Sequence, residues 1–289
     1  MILVTGASGS AGRAVLQEAL RKQSNVRAMF RSKEDAANAL PGCEPMIADY
    51  ADKQSLRNAV NGVTAVYVVC SPIPQLVELE SNMLDACKES GVKHVVLNSA
   101  LGAGDFAKSF PSWHRKVEDK LKTMGMTYTI LRPNGFLQNI AAFYAPTIRT
   151  QNAFYANLGE SRTSFIDISD IAVVAVKSLQ GASHIGKIYE LNGPEAISNQ
   201  ELAKRVSKIA GRTINYVDLP DSAYRDAMAG LGMPEWQVTA LMGLHELYKQ
   251  GGGAKTDGLL KSLTERDPVT LDQYLAANVR EFRDQAASA

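Results

Sequence analysis

The sequence predicts an α/β protein built on a doubly wound parallel sheet. Three observations lead there. Short β-branched runs alternate six times with amphipathic helical stretches over the first half. The earliest run passes straight into a glycine-rich segment that opens a helix. The length, 289 residues, gives room for one large domain and a smaller one.

Residues 1–5 (MILVT) read as a buried strand, followed by glycines and a helix over 14–22. Residues 26–30 (VRAMF) form the second strand, with a polar helix start at 32–34. A short third strand at 46–48 precedes a helix over 52–60. Residues 65–69 are apolar throughout, as befits a strand with helices on both faces. A long helix spans 74–90, the fifth strand 93–98, and a further helix 112–125, stopped by Gly125. The sixth strand, 127–131, is expected to be cut short by Arg132-Pro133. After Phe136 the regularity breaks. Helices are expected over 171–179, 199–211, 221–230, 235–250 and 271–285, with short strands at 163–167, 187–191 and 215–218. These divide the chain into a dinucleotide-binding domain, 1–150, and a smaller, mainly helical, substrate-binding lobe, 151–289. Part of that lobe returns to the sheet.

Composition excludes several function classes. Hydrophobic residues make up 45% and charged residues 21%, the mix of a globular chain with a sizeable core. Basic and acidic side chains balance, 31 against 30, so no basic surplus points to nucleic acid. No apolar run is long enough for a membrane helix, and the first residues read as a strand start rather than a leader. Cys43, Cys70 and Cys87 lack metal-ligand spacing and read as reduced thiols, so no metal site and a cytoplasmic location are expected. The oligomeric state is not legible.

The strongest chemical signal is Gly6-Ala-Ser-Gly9-Ser-Ala-Gly12-Arg13 after the first strand. Gly6 permits a tight turn, Gly9 lets backbone approach a pyrophosphate, and Gly12 lets helix and strand pack closely. With Ser8, Ser10 and Ala11, these residues place helix N–H groups where phosphates bind. A plain structural turn is the alternative. The end of the second strand carries Arg31-Ser32-Lys33 where an NAD site places an acid. An arginine there can grip a 2′-phosphate, so NADP(H) is expected over NAD(H), unless Arg31 is only solvated.

No tyrosine of the ten is followed four residues later by lysine. The Tyr/Lys pair that serves alcohol oxidation in typical short-chain dehydrogenases is therefore absent. Trp113-His114-Arg115-Lys116-Val117-Glu118 starts the helix after the fifth strand. His114 and Glu118, four apart, share a helix face, so Glu118 could orient the imidazole or raise its pKa. A protonated imidazole could then donate to a substrate. The alternative is a histidine paired with a surface glutamate.

The spacing G-x-x-G-x-x-G, with VRAMFR, ADYADKQSLRNAVNGV, TYTILRPNGFLQN, SFIDISDIA, IYELNGPEAIS and the closing DPVTLDQYLAANVREF, resembles the NmrA-like branch of the atypical short-chain dehydrogenases/reductases. That branch includes triphenylmethane-dye reductases, type 2 quinone oxidoreductases and NAD(P)H azoreductases. The resemblance implies that Asp49 and Tyr50 lie near adenine and that Ser71-Pro72 borders the middle of the cofactor. It matches His114 and Glu118 to the H-x-x-x-E pair of the dye and quinone reductases. It aligns Ser99 with the superfamily's active-site serine, with Asn98 and Ala100 beside nicotinamide. Pro133 and Asn134 resemble the segment that contacts nicotinamide, while Trp113, Phe136 and Asn139 would wall a small aromatic substrate. Asp167 and Asp170 read as helix-start acids rather than catalytic ones. Two other readings stay open: an NADP-sensing regulator without turnover, and a biosynthetic reductase or isomerase for one metabolite.

Overall fold

The computed structural model describes residues 1–104 and 109–283. In chain order the elements begin β1 (Ile2–Val4), α1 (Ser10–Arg21), β2 (Val26–Phe30), α2 (Lys33–Ala37), β3 (Glu44–Ile47) and α3 (Lys53–Val60). They continue β4 (Ala65–Val68), α4 (Leu76–Glu89), β5 (His94–Asn98), α5 (Phe110–Thr123) and β6 (Thr127–Pro133). Then come α6 (Leu137–Gln151), β7 (Ala153–Ala156), β8 (Arg162–Thr163), α7 (Ile168–Gln180), β9 (Lys187–Leu191), β10 (Ile197–Ser198) and α8 (Asn199–Ala210). The last are β11 (Asn215–Asp218), α9 (Asp221–Gly230), α10 (Glu235–Lys249), α11 (Leu259–Thr264), α12 (Leu271–Ala277) and α13 (Val279–Phe282).

Two compact units result. The first joins Met1–Pro133 to Ile168–Leu191, and the second joins Asn134–Asp167 to Asn192–Ala289. The division therefore falls just after β6 rather than near residue 150, and α7 and β9 belong to the first unit, β9 as a strand of its sheet. The sheet runs β3-β2-β1-β4-β5-β6-β9, every pairing parallel. Helices α3, α4 and α5 cover one face, and α1 packs on α7 beside the other. Strand order reverses between β1 and β4, so the carboxyl ends of these strands open the crevice where such sheets bind ligands. Leu3, Val66, Val95, Leu97 and Ile130 point from the strands into the core under α3–α5.

An acidic side chain of α4 is buried beside that core. Glu80 is fully buried in α4, and neither carboxyl oxygen has a hydrogen-bond partner. Burial pushes its pKa well up, and the nearby Cys70 backbone N–H opposes this only in part.

Three expectations change. β6 does not stop at Leu131. Arg132 and Pro133 stay in register with Glu190 and Leu191 of β9, and the Pro133 carbonyl accepts from the Leu101 N–H. Proline at a strand's final position costs the ladder only one donor. Of the strand expected at 163–167, only Arg162–Thr163 forms a ladder, antiparallel to β10. Beyond it, Ser164 bonds through its N–H to the Gly253 carbonyl and through its carbonyl to the Gly193 N–H, and Ile166 makes an isolated parallel bridge with Phe136. The helix expected over 271–285 is broken at Asn278, whose side chain competes for the Tyr274 carbonyl. Residues 284 and 285 lie outside the described ones. Among the described residues no helix is long and apolar enough to cross a membrane.

Candidate active site

The glycine turn occupies the switch point of the sheet. Gly6 adopts φ +60°, and a Cβ there would approach Val69 Cγ1 to 2.9 Å. Gly12 is packed hardest. A Cβ on it would lie 2.2 Å from the Gly6 carbonyl oxygen and 2.6 Å from that of Thr5. Gly9 differs: its backbone is extended and a Cβ would meet only the Gly6 carbonyl, at 3.4 Å. The three glycines thus divide their work, two keeping the turn folded and one keeping a surface open. Gly9 caps α1 without a side-chain bond, so the first N–H groups of the helix receive no side-chain acceptor from their N-cap. Ser8 and Ser10 are exposed beside them.

Thr5 and Tyr50 brace this turn from beneath. The Tyr50 hydroxyl lies 2.8 Å from Thr5 Oγ1 and 3.0 Å from the Val69 carbonyl, and the Val69 N–H donates to Thr5 Oγ1. Tyr50, expected beside adenine, therefore has its hydroxyl committed to tying β1 to β4. Burial, with the nearby Glu80 carboxyl, pushes its pKa well up. Asp49 is exposed, and its side chain accepts from the Ala51 N–H in the turn into α3.

Arg31 follows β2 directly. It is exposed and pairs with no described residue. Ser32 caps α2 by accepting from the Asp35 N–H, which places Glu34 and Asp35 in the first helical turn rather than at the strand end. Ser71, after β4, is exposed.

The ends of β5 and β6 meet α5 in a buried polar cluster. The Ser99 hydroxyl donates to Glu118 Oε1 at 2.6 Å. Arg132 grips the same carboxylate with two bonds, Nε to Oε1 at 2.9 Å and Nη2 to Oε2 at 2.7 Å. Lys122 adds a third cationic contact at 3.3 Å. Burial alone would raise the Glu118 pKa, but the bonds from Arg132 and Ser99 and the two positive charges outweigh it and hold it below the ordinary value. Arg132 is the residue the sequence reading missed. A basic residue directly after the apolar Ile130-Leu131 pair of the strand was the available signal, since a buried guanidinium must find a carboxylate.

His114 does not pair with Glu118. It is 5% exposed, its Nδ1 has no hydrogen-bond partner, and Phe110 stands edge-on to the ring. Burial pulls its pKa down to about 4 despite the opposing Glu118 charge, so the imidazole is neutral at physiological pH. The expectation of a protonated imidazole oriented by Glu118 is thereby corrected: the carboxylate is consumed by Arg132 and Ser99. Asn98 is buried with its Oδ1 unpartnered. Trp113 is half-buried against the core under α5.

Pro133 closes β6 and is buried. Asn134 opens the second unit and is 2% exposed. Its amide faces Ser164 Oγ, Asn192 Oδ1 and the Gly253 carbonyl at 2.9–3.1 Å, while its Oδ1 accepts from the Gly135 N–H. Expected beside nicotinamide, this side chain instead knots three segments of its own unit. Phe136 is half-buried and caps α6, with Asn139 in the first turn. Among the described residues no group of three or more His, Cys, Asp or Glu could hold a metal.

A doubly wound sheet with a glycine turn at its switch point is the architecture of dinucleotide-binding proteins. The sequence matches the NmrA-like family over residues 1–284, and the chain belongs to that family. It is 32% identical to the NAD(P)H azoreductase of Xenophilus azovorans, covering 98% of this chain and 99% of the relative. The NADPH complex of the quinone oxidoreductase QOR2 from Escherichia coli superposes with a TM-score of 0.89 at 27% identity, over 96% and 99% of the two chains. The triphenylmethane reductase of Citrobacter sp., solved with NADP(H), shares the fold at a TM-score of 0.85 and 23% identity, over 96% and 99%.

Proposed function

We propose that this chain is an NADP(H)-dependent reductase that passes hydride to flat, electron-poor acceptors of the quinone, azo or triarylmethane type. The observation that carries the reading is the open side of Gly9 at the switch point, where a Cβ would meet only the Gly6 carbonyl, at the ordinary contact distance of 3.4 Å. The residues present fit a dinucleotide. The uncapped start of α1 suits the pyrophosphate, exposed Arg31 suits a 2′-phosphate, and the unpartnered Asn98 Oδ1 suits a carboxamide N–H. The bound nicotinamide supplies hydride from C4.

What the chain's own residues supply is positioning rather than acid. Neutral His114 can give a hydrogen bond but holds no proton to release near neutral pH. The Ser99 proton is already given to Glu118. Acceptors that need little protonation are therefore favoured. A quinone takes hydride to a weakly basic hydroquinone anion, and a triarylmethane cation becomes neutral. An azo nitrogen becomes strongly basic and needs a proton as it forms. Steady NADPH consumption across a quinone, dye and azo panel tests this, with azo compounds expected to be slowest. Tight binding without turnover for any acceptor would make the protein a sensor.

His114→Ala should lower quinone turnover by no more than about tenfold and leave NADPH affinity near wild type, because general acid help worth roughly 10²–10⁴ is not being removed. A loss of about a hundredfold with a quinone would restore His114 as the acid. Arg31→Ala should weaken NADPH by about ten- to a hundredfold, from roughly 1.5–3 kcal/mol for a charged hydrogen bond. NADH affinity should barely move. Equal losses for both cofactors would remove Arg31 from phosphate recognition.

A further inference from the structure

Ser99, Glu118 and Arg132 form a chain of three groups running from the end of β5 through α5 to β6. A serine has one proton to give, and Ser99 gives it to Glu118 at 2.6 Å. Arg132 fixes the receiving carboxylate by gripping both oxygens. Arg132 has neighbours on its other side as well. Gly104 packs so close that a Cβ there would lie 2.5 Å from its Nη1, and Glu190 stands 3.8 Å from the same nitrogen. Arg115 holds Gly104 in turn, donating to its carbonyl at 2.6 Å.

We infer that Arg132 is a positioning residue which, acting through Glu118, holds the Ser99 proton inward and leaves Ser99 to meet a ligand with its lone pairs alone. The partner such a hydroxyl selects is an N–H or O–H donor. A bare carbonyl oxygen or azo nitrogen would find a lone pair there instead. The inference rests on the reductase reading, in which Ser99 borders nicotinamide. It differs from the usual expectation of an active-site serine that shares its proton with the substrate.

The arrangement depends on Glu118 staying ionised, so its charged surroundings decide the test. Ser99 faces it from β5, Arg132 from β6 and Glu190 from β9 by way of Arg132. His114 and Lys122 lie on its own helix, where Asp119 pairs with Arg115. From α4, Asp85 is occupied by Lys120. Burial disfavours the ionised form, and only the two-bond grip of Arg132 with the lesser contacts overcomes it.

Lysine at position 132 keeps the charge but cannot grip both oxygens, so the Glu118 carboxyl should titrate higher. Quinone turnover and NADPH affinity are measured from about pH 5 to 9 for wild type, Arg132→Lys, Ser99→Ala and the double variant. Wild type and Ser99→Ala should be flat. Arg132→Lys should gain an acid limb, falling about tenfold per pH unit, that disappears in the double variant because no hydroxyl remains to carry it. A flat folded Arg132→Lys, or a limb that survives in the double variant, overturns the inference.

Should Arg132→Lys fail to fold, Ser99→Ala alone decides. A serine that donates nothing leaves the azo-to-quinone rate ratio within about twofold, whereas a tenfold fall in that ratio, the low end of what a lost acid would cost, overturns the inference. Wild type that binds NADPH but turns over no acceptor sinks the reductase reading alone, and the affinity series then carries the pH test of the Ser99 contact. Wild type that binds no NADPH sinks the reductase reading and this inference together. Wild type that turns over while the variants behave otherwise than stated sinks the inference alone.

Discussion

Gly9→Val should abolish measurable NADPH binding while leaving the fold intact. Its backbone is extended, a conformation that valine adopts readily, and its Cβ direction meets one carbonyl at 3.4 Å. The two methyl groups would therefore project into the space on which the proposed pyrophosphate depends. Gly12→Ala makes the matching control in the opposite sense. Its Cβ would collide with two backbone carbonyls at 2.2 and 2.6 Å, so α1 must move away from β1 and stability should fall. Fluorescence titration with NADPH and urea unfolding of both variants separate the two roles. A Gly9→Val protein that is unfolded, or that binds NADPH like wild type, would contradict the assignment.

This division of labour was legible only in part. The turn, its place after the first strand and the helix it opens follow from local pattern. So do β2, β9 and β11, whose short runs (VRAMF, KIYEL, NYVD) carry β-branched or aromatic residues between turn residues. What local pattern cannot weigh is a partner distant in sequence. Arg132-Pro133 reads as a stop because proline usually ends a strand, yet β9, more than fifty residues on, keeps both in register. The expected pairing of Glu118 with His114 gives way for the same reason, although the carboxylate still pulls the imidazole pKa upward against burial. Four-residue spacing brings His114 and Glu118 to one helix face, but it says nothing of competitors from other elements. Ser99 and Arg132, 19 and 14 residues away, offer a short hydroxyl bond and a two-bond guanidinium, and they win the carboxylate. Burial of the imidazole, which sets its charge, depends on the same packing and was equally out of reach.

The same competition makes Glu118→Leu the most destabilising single change expected in the sheet unit. The substitution removes a fully buried carboxylate and strands the Arg132 guanidinium, itself only 10% exposed, without its principal counter-charge. Breaking one side of a buried pair in this way costs about 3–5 kcal/mol. Glu190, at 3.8 Å and one third exposed, can recover little of that. Adding Arg132→Met should restore much of the loss, because two apolar side chains of similar volume leave no buried charge to solvate. The dependence on pH has a definite sign. The Glu118 carboxyl is held below its unfolded value, so its contribution is full above the ordinary carboxylate pKa of about 4.3 and is lost as pH falls through the lower folded value. The stability gap between wild type and Glu118→Leu should therefore be widest near neutrality and narrow only in acid. Urea midpoints at several pH values, with unchanged m, measure it directly. A gap below about 1 kcal/mol at neutral pH, the range of an exposed pair, would mean that the Arg132–Glu118 contact is solvated and does not organise the end of β5.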